Sequence, residues 1–233
     1  MKHIKIQKFG PIDACDVPLK AFNILTGAQA TGKSTLAKAV FFCDTLGQEI
    51  FDEITMHRNA EREASSLLQN LEKRLRFKFF QMFGPPSSLS ADMEISYDDN
   101  DESLLKIHAE KRAGQAGGAY VSFVIGAAIQ DFLIQQEMKE YVWDKEQERT
   151  RLREEIRALL KNPYRTIYVP AGRSTITLLT DKIATILDDA NRSVDYCMKQ
   201  YIRQTTELRS AFRNGTQGLL EEMIHTAQTI MAP

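Results

Sequence analysis

Long hydrophobic runs are missing from this chain. The most apolar stretch, "YVSFVIGAAI" from Tyr120 to Ile129, is about half the length that a membrane-spanning helix needs. The N-terminal "MKHIKIQKFG" lacks the apolar core of a signal peptide. Neither a membrane helix nor a secretory leader is expected, and the expected location is the cytoplasm. Cysteine is scarce too. Cys15, Cys43 and Cys197 are odd in number, far apart and without metal-ligand spacing, which argues against a disulfide framework or a zinc site and for reduced, structural thiols. Nor does one sign of charge dominate: 30 Lys plus Arg stand against 31 Asp plus Glu, a formal net charge of -1. The surface as a whole is therefore no anion trap, and a nucleic-acid partner would need a local basic patch. Internal repeats and low-complexity tails are also missing.

What is present is ordinary globular material, 233 residues at 43% hydrophobic and 26% charged, enough for one large domain or two small ones. The first 25 residues alternate as short strands, "HIKIQKF", "CDVPL" and "FNIL", separated by the turn residues Gly10, Pro11 and Asp13. From Lys33 the apolar spacing becomes helical, through Leu36, Ala39, Val40 and Phe42 or Cys43. Residues 44 to 82 read as one long helix or a broken pair, ended by "GPPSS", and "ADMEISYDD" with "SLLKIHAEK" reads as a hairpin through "DNDE". "AGQAGGA" at 113 to 119 is the most glycine-dense stretch and reads as a loop. Beyond Gln130 the chain becomes helical and charged, interrupted by "RTIYVPAGR" as one short strand. Apolar residues from Ile183 to Phe212, among them Val194 and Tyr201, repeat at steps of three and four and predict a packed helical stripe. The expected organisation is a nucleotide-binding lobe over 1–129 and a mainly helical lobe over 130–233.

Within "FNILTGAQATGKSTLAKAV", Gly27, Gly32, Lys33 and Ser34 satisfy G-x-x-x-x-G-K-[ST], with an expected strand before and a helix after. Each position has its own chemistry. Gly27 and Gly32 allow backbone angles that turn successive N–H groups inward, so that Gly27, Ala28, Gln29, Ala30, Thr31 and Gly32 form a nest around phosphate oxygens. The helix start adds its positive end and the amides of Lys33, Ser34 and Thr35. Lys33 would reach the β- and γ-phosphates as the catalytic cation, and the Ser34 hydroxyl would ligate Mg²⁺. ATP and Mg²⁺ are the expected cofactors. The alternative is a glycine turn that merely starts an ordinary helix.

"IKIQKFGPID" followed by "FNILTGAQATGKSTLAKAV" resembles the N-terminal segment of the ABC-type ATPase heads of SMC-like proteins, including OLD-like ATPases of bacterial genome maintenance and phage defence. "YVPAGRS" at 168 to 174 is similar to a strand motif of the OLD-like branch. The resemblance implies an α/β fold, a P-loop NTPase lobe of ABC/SMC-like type with short N-terminal strands followed by a mainly helical lobe. It also implies a second head that sandwiches ATP against the first, as in a homodimer. Such heads carry an LSxGQ-like signature, an apolar strand ending in Asp-Glu and a later histidine, and none is found here. "IATILDD", ending at Asp188 and Asp189, falls inside a helical stripe, and "VIGAAIQD", ending at Asp131, contains a glycine. The expectation is an N-terminal portion of a longer ATPase, partnered by its C-terminal portion or by a second head.

Other residues divide between function and packing. Arg173 would meet a phosphate or a neighbouring subunit, or lie in a solvated turn. Asp13 and Phe9 would approach the base or ribose, or serve as turn and core residues. His57 lies on an apolar stripe and reads as packed. "EKRLRFKFF" at 72 to 80 interleaves Lys73, Arg74, Arg76 and Lys78 with aromatics, which suits nucleic acid or an amphipathic helix face. Two further functions compete with the ATPase head. A self-contained nucleotide kinase would draw a lid from "LRFKFFQMFG" or Arg173, and a non-enzymatic interaction module would use nucleotide only for stability.

Overall fold

Strict alternation in "KHIKIQKF" puts Ile4 and Ile6 on one side and Lys5 and Gln7 on the other, and this segment is the strand β1, Lys2–Phe9. A computed structural model of the chain describes residues 1–59, 66–100, 102–110, 120–139, 145–161, 166–171 and 195–214, with side chains to Thr206. β1 turns back through Gly10 into β2, Ile12–Pro18, and also pairs with β3, Glu94–Asp99. β3 forms a hairpin with β4, Glu102–Glu110, and β4 pairs with β5, Tyr120–Ile125. The order is β2-β1-β3-β4-β5. One face buries Ile4, Ile6, Ile95, Tyr97, Leu105, Ile107, Val121 and Phe123, as alternating strands with one wet face require.

The helices are α1 (Lys33–Asp44), α2 (Leu46–Asn59), α3 (Leu67–Phe83), α4 (Ala127–Met138), α5 (Lys145–Leu160) and α6 (Tyr196–Asn214), with a short 3-10 turn at Pro86–Ser88. A cluster of phenylalanines fixes α1 to the sheet. Phe42 of α1 meets Phe79 of α3 edge-on at 5.6 Å and Phe123 of β5 at 6.4 Å, while Phe9 of β1 meets Phe83 at 4.9 Å. Such aromatic pairs add about 0.5–1.5 kcal/mol each beyond the area they bury. At the same C-terminal end α1 is tied to β3, where the Tyr97 hydroxyl donates to Asp44. The chain divides into two compact units, 1–166 and 167–233, so α4 and α5 stand with the sheet. In the second unit α6 buries Cys197 and Ile202; Val194 and Phe212 lie outside the described side chains.

The mixed α/β class is as expected, but the P-loop type does not follow from this sheet. Its pairings are all antiparallel, whereas strand–loop–helix nucleotide folds are built on parallel strands. The expected strand "FNIL" is not one. After Pro18, which offers no backbone donor, the Asn23 side chain folds back, its Nδ2 donating to the Pro18 carbonyl at 2.9 Å and its Oδ1 accepting from the Lys20 amide at 2.8 Å. Residues 21–27 then run exposed and without a ladder partner, and a β-strand exists only with one. The same holds for 166–170, expected as a strand and without one among the described residues. The glycine-dense stretch 113–119 lies outside the described residues.

Candidate functional site

The glycine-rich loop sits between this unpaired run and the start of α1. Three of its residues have positive φ: Gly27 at 145°, Ala30 at 61° and Gly32 at 91°. Gly32 is required twice over. Its left-handed backbone strains any L side chain, and a Cβ there would stand 2.5 Å from Ile12 Cγ1, closer than carbon atoms approach. At Gly27 a Cβ would meet only Thr31 Oγ1 at 3.5 Å, so there the demand is conformational alone.

Gly32 also precedes the first turn of α1 with no side-chain cap, and that turn contains no acidic residue. Its carbonyl accepts from the Leu36 amide at 2.8 Å. Among the described residues, no backbone N–H from Gly27 to Thr35 donates to a protein acceptor. An uncapped helix start with free donors and no local carboxylate carries positive potential. The Lys33 ammonium adds to it. Its Nζ donates to the Gly27 carbonyl at 2.9 Å, to the Ala28 carbonyl, and to Thr31 Oγ1 at 3.3 Å. Thr31 Oγ1 in turn donates to the Ala28 carbonyl at 2.9 Å. No described carboxylate pairs with Lys33. Gln29 and Ser34 are exposed, and Thr35 is half-buried beside Gly10.

The remaining expected residues distribute as follows. Phe9 is core, packed on Phe79 and Phe83. Asp13 is exposed and pairs with Lys8 at 2.8 Å, and that cation holds its carboxyl below the usual range. Asp131 is exposed on α4 rather than at a strand end. His57 is half-buried on α2. Arg173, Asp188 and Asp189 lie outside the described residues, and no group of three or more His, Cys, Asp or Glu could hold a metal among those described.

The basic run 72–80 is largely committed to the fold. Arg74 binds Glu49 and, at 3.0 Å, Asp52; buried Lys78 binds Glu49 at 2.6 Å and Thr45 Oγ1 at 2.5 Å. Arg76 donates to the Val121 carbonyl at 3.2 Å and stacks 5.4 Å from the Tyr120 ring. Burial pushes the Lys78 ammonium down. It would also raise Glu49, but Lys78 and Arg74 outweigh it and hold that carboxyl below its ordinary value. Only Lys73 and Phe77 of this run face solvent. Sequence spacing could not reveal this, because the acidic partners lie on another helix.

One apolar feature was legible only in three dimensions: Phe22 is 78% exposed and Ile24 72%, with Leu25 beside them at 40%. No helix among the described residues is long and apolar enough to cross a membrane. The chain matches no model of a protein family, no curated protein and no solved structure.

Proposed function

We propose that Gly27–Thr35 binds the triphosphate of ATP with Mg²⁺, and that the chain is the N-terminal portion of an SMC-like or OLD-like ATPase head whose association is controlled by nucleotide. The observation that carries the reading is the uncapped start of α1, with its free amides and the Lys33 ammonium gathered over a loop of positive-φ residues. A polyphosphate oxygen replacing the loop carbonyls around Lys33 exchanges neutral acceptors for a charged one, which adds ion-pair attraction to hydrogen bonds already assisted by the ammonium charge. The amides from Gly27 to Thr35 would hold the phosphates in place and exclude water from them.

Ser34, exposed in the first helical turn, would hold Mg²⁺, which when bound neutralises phosphate charge. A single protein hydroxyl fits an ion that keeps waters and phosphate oxygens as its other ligands. The exposed run Phe22, Ile24 and Leu25 supports a lobe that is covered by another polypeptide segment, whether a second head or a C-terminal portion.

The kinase reading has less support from "LRFKFFQMFG", because Arg76 and Lys78 of that segment are held by the β5 backbone and Glu49; its other candidate lid residue, Arg173, lies outside the described residues. Titration calorimetry of wild type and Lys33→Ala tests the proposal. The substitution is expected to weaken ATP binding about ten- to a hundredfold, the scale of a lost charge-assisted bond, with an unchanged melting temperature. Equal affinity in the two proteins would overturn it.

A further inference from the structure

We infer that the β1–β2 turn is the support that holds the phosphate loop in its binding shape, with Ile12 as a positioning residue. The inference rests on the phosphate-binding reading of Gly27–Thr35 but concerns residues outside that motif.

Two contacts join turn and loop. Ile12 Cγ1 and Cδ1 fill the space beside Gly32 where a Cβ would stand, at 2.5 and 3.3 Å, and Pro11 Cγ closes the same space at 3.4 Å. Two residues earlier, a Cβ at Gly10 would meet Thr35 Cγ2 at 3.6 Å. The turn therefore touches the loop's last glycine and the helical residue three positions beyond it, the two points between which Lys33 and Ser34 are suspended. Elsewhere the loop is open: every residue from Phe22 to Thr31 is exposed, while Gly32 is buried.

The turn is itself rigidly held. β1 and β2 remain in register up to the Phe9–Ile12 pair, Lys8 and Asp13 clamp it across at 2.8 Å, and Phe9 is locked among aromatic rings. Ile12 is 9% exposed and β-branched, so its rotamer is restricted. A stiff side chain on a stiff turn fixes where Gly32 can sit, and so where the first amides of α1 point. Ligand geometry errors of about 1 Å cost up to a hundredfold in positioned chemistry.

The test uses the full chain and two readouts, ATP affinity by calorimetry and amide resonances of Gly27, Gly32, Lys33 and Thr35 by two-dimensional NMR without ligand. Ile12→Ala is expected to move those resonances and weaken ATP binding about tenfold, and Ile12→Val, which keeps Cγ1, to restore affinity to within about twofold. Val17→Ala, a comparable truncation on β2 far from the loop, is expected to lower the melting temperature while leaving both readouts in place. If Ile12→Ala does not fold, Pro11→Ala in the exposed turn reads the same contact, with a smaller shift of the same resonances expected. Resonances that move in Ile12→Ala when wild type itself shows no measurable ATP binding would support the positioning role and reject the nucleotide reading. Loop resonances unchanged in Ile12→Ala, or in Pro11→Ala where it is the variant read, would overturn the inference, as would an equal shift in Val17→Ala.

Discussion

At the scale of the residue, Glu49 shows how a buried charge can be both necessary and costly. It accepts from Lys78 and Arg74 on the neighbouring helix, so Glu49→Gln would leave two cations facing a neutral amide. Breaking a buried pair in this way costs about 3–5 kcal/mol, and a fall in the urea midpoint would report it. The pH sign follows from the depressed Glu49 value: its contribution is present above the unfolded glutamate value, about 4.3, and is lost as pH falls through the lower folded value. Melting temperature is expected to drop between pH 5 and pH 3 in wild type and to drop less in Glu49→Gln. Gly32→Ala belongs to the same scale. The added methyl would collide with Ile12, so ATP binding should be lost at the loop while far-UV circular dichroism keeps its helical signal.

Among elements, the junctions decide more than the interiors. β5 passes into α4 through Gly126, whose amide donates to the Leu104 carbonyl at 3.0 Å. A Cβ at Gly126 would overlap the Ser103 carbonyl oxygen, a backbone atom that cannot rotate away. Gly126→Ala is therefore expected to destabilise the chain by about 1–3 kcal/mol, the cost of forced overpacking, at an N-cap position where alanine is also the poorer residue. A melting temperature equal to or above wild type would show that β4 yields at this point. The same logic explains α2 and α5, where Gly47 lets Leu160 and Ile156 approach.

For the whole molecule, the proposed ATPase lacks, among its described residues, a carboxylate cluster to complete a magnesium site. Phosphoryl transfer depends on positioned water and charge stabilisation, so the chain alone is expected to hydrolyse ATP far more slowly than about 1 per second, the lower end of ordinary turnover. A phosphate-release assay showing ordinary turnover would contradict this. Light scattering with Mg-ATP reads the other half of the proposal. A rise in mass is expected if nucleotide joins two heads, and an unchanged mass would remove head association from it.

The local chemistry of this protein was already present in its sequence. Alternation in residues 2–9, the turn residues Gly10 and Pro11, the helix from Lys33 and the hairpin around "DNDE" follow from periods of 2 and 3.6 and from turn propensities, which act over a few neighbours; so does the loop motif, a matter of backbone freedom and one lysine. What tertiary structure decided was partnership. "FNIL" has a strand's alternation, but the Asn23 side chain bonds back to Pro18 and Lys20 and no ladder reaches the segment. The run at 72–80 has the composition of a basic patch, but Glu49, Asp52 and the Val121 carbonyl bind its cations. Strand pairing and charge neutralisation join residues far apart in the chain. Their free energy depends on which distant groups arrive opposite one another, and no local period encodes that.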